Sequence, residues 1–128
     1  EGLANRRYVF VPSLNAVFGG VMIFANAHVW TADTATPELR SAWIANLDKI
    51  AARNPTTVVA GHMTVDAATD ASAIAHTKAY LLAFDEERVK ASDSAALKAA
   101  MEARFPNLGL GVALDIGSKV ALGEMKWG

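Results

Sequence analysis

Short apolar runs alternate with amphipathic stretches along this 128-residue chain. Alternating aromatic and β-branched residues in "RRYVFVPSL" predict a strand over residues 8–11, which the following proline ends. The segment "AVFGGVMIF" predicts two short strands, or one bent strand, around Gly19 and Gly20. The run at residues 57–60 has the composition of a strand that is covered on both faces, and Gly61 ends it.

Helical spacing of apolar residues dominates two other parts of the chain. Thr36 as N-cap and Pro37 in the first turn predict the start of a helix that ends at Asn54 and Pro55. Its apolar face is expected to bury Leu39, Trp43, Leu47, Ile50 and Ala51. A helix followed at once by a buried strand predicts an α/β fold.

The second helical region, residues 69–106, predicts two helices. Thr69 or Asp70 is the candidate cap of the first helix, and Ser92 or Asp93 is the candidate cap of the second. The side chains expected to face the core are Ile74, Thr77, Leu81, Phe84, Leu97, Met101 and Phe105. The glycine-rich close at residues 107–127 is interpreted as loop and weak strand.

Composition and charge narrow the classes of partner. With 52% hydrophobic and 20% charged residues the chain has the composition of one globular domain, and its net charge of −1 gives no basic footprint. We therefore expect neither nucleic acid nor membrane as a partner. No apolar run reaches the roughly 20 residues of a membrane span, so we expect a soluble protein. Its compartment, cytoplasmic or periplasmic, is unknown from the sequence. Because cysteine is absent, any metal must be held by His, Asp or Glu.

The three histidines are the candidates for chemistry. His62 follows Gly61 at the end of a buried strand, where open α/β sheets place their ligands. On its residues alone, His62 is equally a ligand or a packing side chain. His28 and His76 are interpreted as structural, since the spacing of the three histidines forms no local metal-binding pair.

The order of the segments "SLNAVFGGVMIFANAHVWTAD", "RSAWIANLDKIAARNPTTVVAGHM" and "HTKAYLLAF" resembles the C-terminal half of metallo-β-lactamase-fold hydrolases. The resemblance implies the C-terminal half of an αββα sandwich, a mixed sheet with helices on its outer face. Residues 1–128 would then be a single partial domain that lacks its N-terminal half. His62 would be a zinc ligand. Gly20 stands where relatives carry a metal-bridging aspartate, so one zinc ion or two remain open.

The function implied by the resemblance is that of a zinc-dependent hydrolase acting on a small-molecule substrate of unknown class. Zinc-bound hydroxide would be the nucleophile. The family's His-x-His-x-Asp-His motif does not occur in the chain, so the fragment is expected to be inactive alone, and its catalytic residues are unknown. The alternative is a non-catalytic half-domain that packs, dimerises or binds. Its partner would be the missing N-terminal half or a second copy of the chain.

Overall fold

The structure is a computed structural model that describes residues 3–128. It contains five short strands and four helices within that range. The strands are β1 (Val9–Val11), β2 (Ala16–Phe18), β3 (Phe24–Ala25), β4 (Thr57–Val59) and β5 (His62–Met63). The helices are α1 (Pro37–Ala51), α2 (Ser72–Lys90), α3 (Ser94–Arg104) and α4 (Gly111–Ala121).

The strands form two small sheets. The first has the order β1-β2-β4, with β1 antiparallel and β4 parallel to β2. Phe10, Val17 and Val58 are cross-strand neighbours, and Val17 and Val58 are fully buried, so this row of the sheet faces the core. The second sheet pairs β3 with β5 in parallel. One buried cluster of apolar side chains connects both sheets with the four helices.

Two polar anchors tie the helices to the strands and the adjoining loop. The Trp43 indole of α1 donates a hydrogen bond of 2.9 Å to the carbonyl of Met22. The buried Thr77 hydroxyl of α2 accepts from the Phe24 amide at 3.0 Å and donates to the Ala73 carbonyl at 2.9 Å. Since buried backbone groups need partners, these bonds tie α1 to the segment before β3 and α2 to β3 itself.

Most of the sequence-predicted elements are confirmed. The Thr36 side chain accepts a hydrogen bond from the amide of Leu39, as an N-cap does. Asp93 caps α3 through the amide of Ala96 at 2.8 Å. The glycine pair separates β2 from β3 by a turn of 3₁₀ helix at Gly20–Met22.

The interpretation of residues 107–127 as loop and weak strand is wrong, because α4 occupies most of this segment. Ala113, Leu114 and Gly117 of α4 are buried. A Cβ atom on Gly117 would lie 2.4 Å from the Thr31 hydroxyl, so this glycine permits the close approach of α4 to the 28–34 loop. Tertiary packing overrides the low helix propensity of glycine here.

The predicted α/β class is confirmed, but the predicted half of an αββα sandwich is not. Residues 3–128 form a small mixed sheet, a separate two-stranded sheet and four helices, and no metallo-β-lactamase sandwich is present among them. The short strands explain the difference, since none exceeds three residues. Within the same range, none of the helices combines the length and the hydrophobicity that a bilayer span requires.

Candidate functional site

His62 begins the short strand β5, and its ring packs against the second sheet. The β3-β5 register places His62 opposite Phe24, and the two rings stack with centroids 4.9 Å apart at 10°. Phe24 is fully buried, whereas His62 is exposed. Phe24 therefore covers one face of the imidazole and holds the ring in a fixed plane.

The turn that leads into His62 depends on two glycines, Gly20 and Gly61, at which two backbone segments come into close contact. A Cβ atom on Gly61 would lie 2.0 Å from the carbonyl oxygen of Gly20, which is closer than real Cβ contacts come. Gly20 has a φ of +52°, and a Cβ there would lie 3.1 Å from the carbonyl oxygen of Arg7. The backbones of Arg7, Gly20 and Gly61 are therefore stacked next to each other beside His62.

A cavity of about 350 Å³ lies against His62. Its wall also includes Met63 and Thr64 from the β5 segment and Leu110 from the loop before α4. Leu110 has a φ of +61°, a left-handed conformation that non-glycine residues seldom adopt, and it is 37% exposed. A half-open pocket with a flat ring and apolar side chains suits a small planar group.

The other two histidines are held elsewhere by hydrogen bonds. His28 Nδ1 lies 3.0 Å from the Tyr80 hydroxyl, and His76 Nε2 lies 3.0 Å from the carbonyl oxygen of Ala27. Burial lowers the pKa of His28, an effect that Glu102 opposes, and burial raises the pKa of Tyr80. The prediction that these two histidines are structural agrees with their contacts.

The zinc prediction is wrong. Over residues 3–128 the fold assembles no group of three His, Cys, Asp or Glu side chains that could hold a metal ion. A catalytic zinc ion needs about three protein ligands, and the hydrogen bonds of His28 and His76 commit them to other partners. His62 as a single ligand stays an untested prediction.

Two neighbouring arginines near the start of the chain have different environments. The Arg6 guanidinium is buried, lies 3.7 Å from the centroid of the Trp43 ring, and hydrogen-bonds to the carbonyl of Trp30 and to Asp33. Arg7 is exposed, and its Nε donates to the Ala4 carbonyl at 2.9 Å. Arg6 therefore anchors the segment, and Arg7 presents its charge to solvent.

Most of the other cations are neutralised within the protein. Salt bridges join Arg40 to Asp85, Lys78 to Asp48, Lys90 to Glu87, Lys98 and Lys119 to Asp115, and Arg104 to Glu86 and Glu87. Among the described residues the cations outside such pairs are Arg7, Lys49, Arg53, Arg88 and Lys126.

Three of these unpaired cations lie in the first half of the chain, and one of them contacts a half-buried aromatic ring. Lys49 and Arg53 are one turn apart at the end of α1, and the Arg53 guanidinium lies 4.8 Å from the centroid of Phe10. Phe18 on β2 is 42% exposed. Sequence reasoning missed this set, although the interleaved "RRYVF" is a signal for it. We call Arg7, Lys49 and Arg53 the cation set.

Comparison with known proteins gives one family. The family model described as Nucleocapsid protein N matches residues 2–82, which is well over half of the chain. No curated protein matches the chain. The matched stretch contains all five strands, α1, His62 and the cation set.

The match corrects several predictions. The resemblance to metallo-β-lactamase-fold hydrolases is wrong, and so is the zinc-dependent hydrolase with its small-molecule substrate. The motif behind it, a helix followed by proline, a strand and Gly-His, is short, and here its histidine stacks on Phe24. The exclusion of a nucleic-acid partner is also overturned, because a net charge says nothing of where unpaired cations lie. The chain belongs to the nucleocapsid protein N family.

Proposed function

We propose that this chain binds single-stranded nucleic acid in a nucleocapsid role. The observation that carries the proposal is the match of the nucleocapsid protein N model over residues 2–82. A nucleocapsid is a protein coat on a nucleic-acid genome, so binding of a nucleic-acid strand is the elementary activity of such a protein. The earlier alternative of a non-catalytic binding module is closer to this proposal than an enzyme is.

The cation set supports the proposal. Sites for single strands combine cations that follow the phosphate backbone with aromatic rings on which bases stack. Arg7, Lys49 and Arg53 form no ion pair within the described residues, and Phe10 lies beneath Arg53. These are the groups that such a site requires.

The net charge of −1 is compatible with local binding of an anion. Many of the carboxylates are engaged in salt bridges inside the protein, among them Asp33, Asp48 and Asp85. At physiological salt, charges separated by more than about 8 Å are largely screened from each other. The field near a bound strand is therefore set by the nearest side chains rather than by the total charge.

The number of unpaired cations gives a quantitative expectation. Neutralising Z phosphates of a single strand gives a slope of about −0.7Z for the logarithm of the binding constant against the logarithm of salt concentration. If each member of the cation set contacts one phosphate, the slope is about −2. Affinity then falls about 20-fold between roughly 50 and 200 mM salt.

The test is a salt titration of the binding of fluorescein-labelled oligonucleotides, followed by fluorescence anisotropy. Single-stranded RNA, single-stranded DNA and duplex DNA of equal length are compared. A variant carrying Arg7→Gln, Lys49→Gln and Arg53→Gln is expected to lose most of the binding and most of the salt slope. Circular dichroism and thermal unfolding check that this variant is folded.

The matched control carries Arg88→Gln and Lys126→Gln, two unpaired cations that lie outside the matched residues. It is expected to bind like the wild type. Absence of binding by the wild-type protein at low salt contradicts the nucleic-acid role. Equal losses in the two variants contradict the assignment to the cation set.

A further inference from the structure

The exposed face of His62 is arranged as a stacking platform. The imidazole is parallel to Phe24 within 10°, with ring centroids 4.9 Å apart, and the fully buried Phe24 is fixed by the core. His62 also lines the cavity, so the face opposite Phe24 is available to a second flat group. A ring that is already held in plane loses little conformational freedom when a ligand stacks on it.

The rest of the cavity fits the edge of one base. Met63 and Leu110 supply apolar contact, and Gly61 leaves its backbone accessible. Bases of unpaired strands are recognised by stacking on aromatic rings, histidine included, and by hydrogen bonds to their polar edges. The cavity, at about 350 Å³, admits one such group without a change in the fold.

One member of the cation set, Arg7, has its backbone close to the wall of the cavity. Only Gly20 separates the backbone of Arg7 from that of Gly61: a Cβ atom on Gly20 would lie 3.1 Å from the Arg7 carbonyl oxygen, and one on Gly61 would lie 2.0 Å from the Gly20 carbonyl oxygen. Arg7 is exposed and unpaired within the described residues. A strand whose base lies on His62 would therefore pass close to the backbone segment that carries Arg7.

We propose that an unpaired base of a bound strand stacks on His62, with a neighbouring phosphate at Arg7. This inference rests on the proposed function, and it names the place where a base is held. It also gives His62 a role that involves no metal ion. The contact is made by the ring face, so another aromatic side chain serves in its place.

The variants that test the inference are His62→Ala and His62→Trp, with Val65→Ala as the control. Val65 is fully exposed three residues away, so its truncation removes no packing. Binding of a labelled single-stranded oligonucleotide is measured for each variant, and again with an oligonucleotide in which abasic sites replace all the bases. Since stacking contributes about 1–3 kcal/mol per base, His62→Ala is expected to weaken binding about 5- to 140-fold. His62→Trp and Val65→Ala are expected to stay within about 3-fold of the wild type.

The abasic strand and the salt slope separate stacking from charge. The wild type is expected to bind the abasic strand more weakly than the complete strand, and His62→Ala is expected to lose most of that difference. The salt slope is expected to be unchanged in His62→Ala and to fall by about 0.7 in Arg7→Gln.

The outcomes distinguish this inference from the proposed function. Strand binding that is equal in the wild type and in His62→Ala overturns the stacking inference and leaves the nucleic-acid role standing. The stacking inference is also overturned if His62→Trp binds as weakly as His62→Ala while its thermal unfolding matches that of the wild type. Absence of strand binding by the wild type overturns both proposals.

Discussion

Replacing Gly61 by alanine is expected to destabilise the protein more than any other single-methyl addition near the site. The added Cβ would lie 2.0 Å from the carbonyl oxygen of Gly20, 2.4 Å from its carbonyl carbon and 2.7 Å from its Cα. All three atoms are backbone, so no side-chain rotation relieves the overlap. Overpacking of cores costs about 1–3 kcal/mol where side chains can adjust, so we expect a loss of about 3 kcal/mol or more here.

Urea denaturation followed by tryptophan fluorescence measures this loss, because Trp43 is fully buried in the core. The matched control is Gly111→Ala in the first turn of α4, where a Cβ would meet no atom within 4 Å. That change is expected to be neutral or to stabilise by up to about 1 kcal/mol, through the lower entropy of the unfolded chain. A free energy of unfolding for Gly61→Ala within about 0.5 kcal/mol of the Gly111→Ala value would refute the crossing of the two backbones.

Three further changes test the anchors of the fold. Arg6→Lys removes the planar guanidinium, which donates hydrogen bonds to the carbonyls of Val21 and Trp30 and to the Asp33 carboxylate. We expect its free energy of unfolding, measured by urea denaturation, to fall by about 2–4 kcal/mol, against less than about 0.5 kcal/mol for Arg7→Lys at the neighbouring exposed position. Thr77→Val leaves the Phe24 amide unpaired and is expected to cost about 1–3 kcal/mol, whereas Thr77→Ser keeps the bond; equal losses would show that the hydroxyl is unimportant. Burial lowers the pKa of His28, so the unfolded chain takes up a proton first. The contribution of His28 to the free energy of unfolding is therefore expected to be fully present above pH 6.5 and to be lost as the pH falls below that value. Urea denaturation measured from pH 8 to pH 5 checks this, and in His28→Gln the free energy of unfolding should depend less on pH over that range.

Local signals in the sequence were sufficient wherever the neighbours along the chain decide the structure. Thr36 and Pro37 start α1, and Asp93 starts α3, because a cap bonds to amides two or three residues away. Of the two alternatives that the glycine pair Gly19-Gly20 leaves open, two short strands or one bent strand, the structure has two strands. These elements supply the α/β class without any knowledge of tertiary contacts.

Contacts between distant segments explain what the sequence did not predict. Helix α4 contains Gly111 and Gly117, and its formation depends on packing against the 28–34 loop rather than on helix propensity. The burial of Arg6 beneath Trp43, 37 positions away, is equally invisible in a list of charged residues. Which cations are paired and which are unpaired depends on such contacts. The net charge is a sum over all of them and does not contain this information.

His62 shows that a position in the sequence does not by itself fix the chemistry of a side chain. The sequence located it beside a glycine at the end of a buried strand, and the structure places it on the wall of a cavity. Metal binding requires other ligands nearby, whereas stacking requires a flat neighbour in the correct plane. The β3-β5 register supplies Phe24 as that neighbour, and His28 and His76 bond to Tyr80 and to the Ala27 carbonyl instead. An imidazole can serve as a metal ligand, as a base or as a flat ring for stacking, according to its surroundings. For His62 these surroundings are set by the register of two short strands, which places its ring against Phe24.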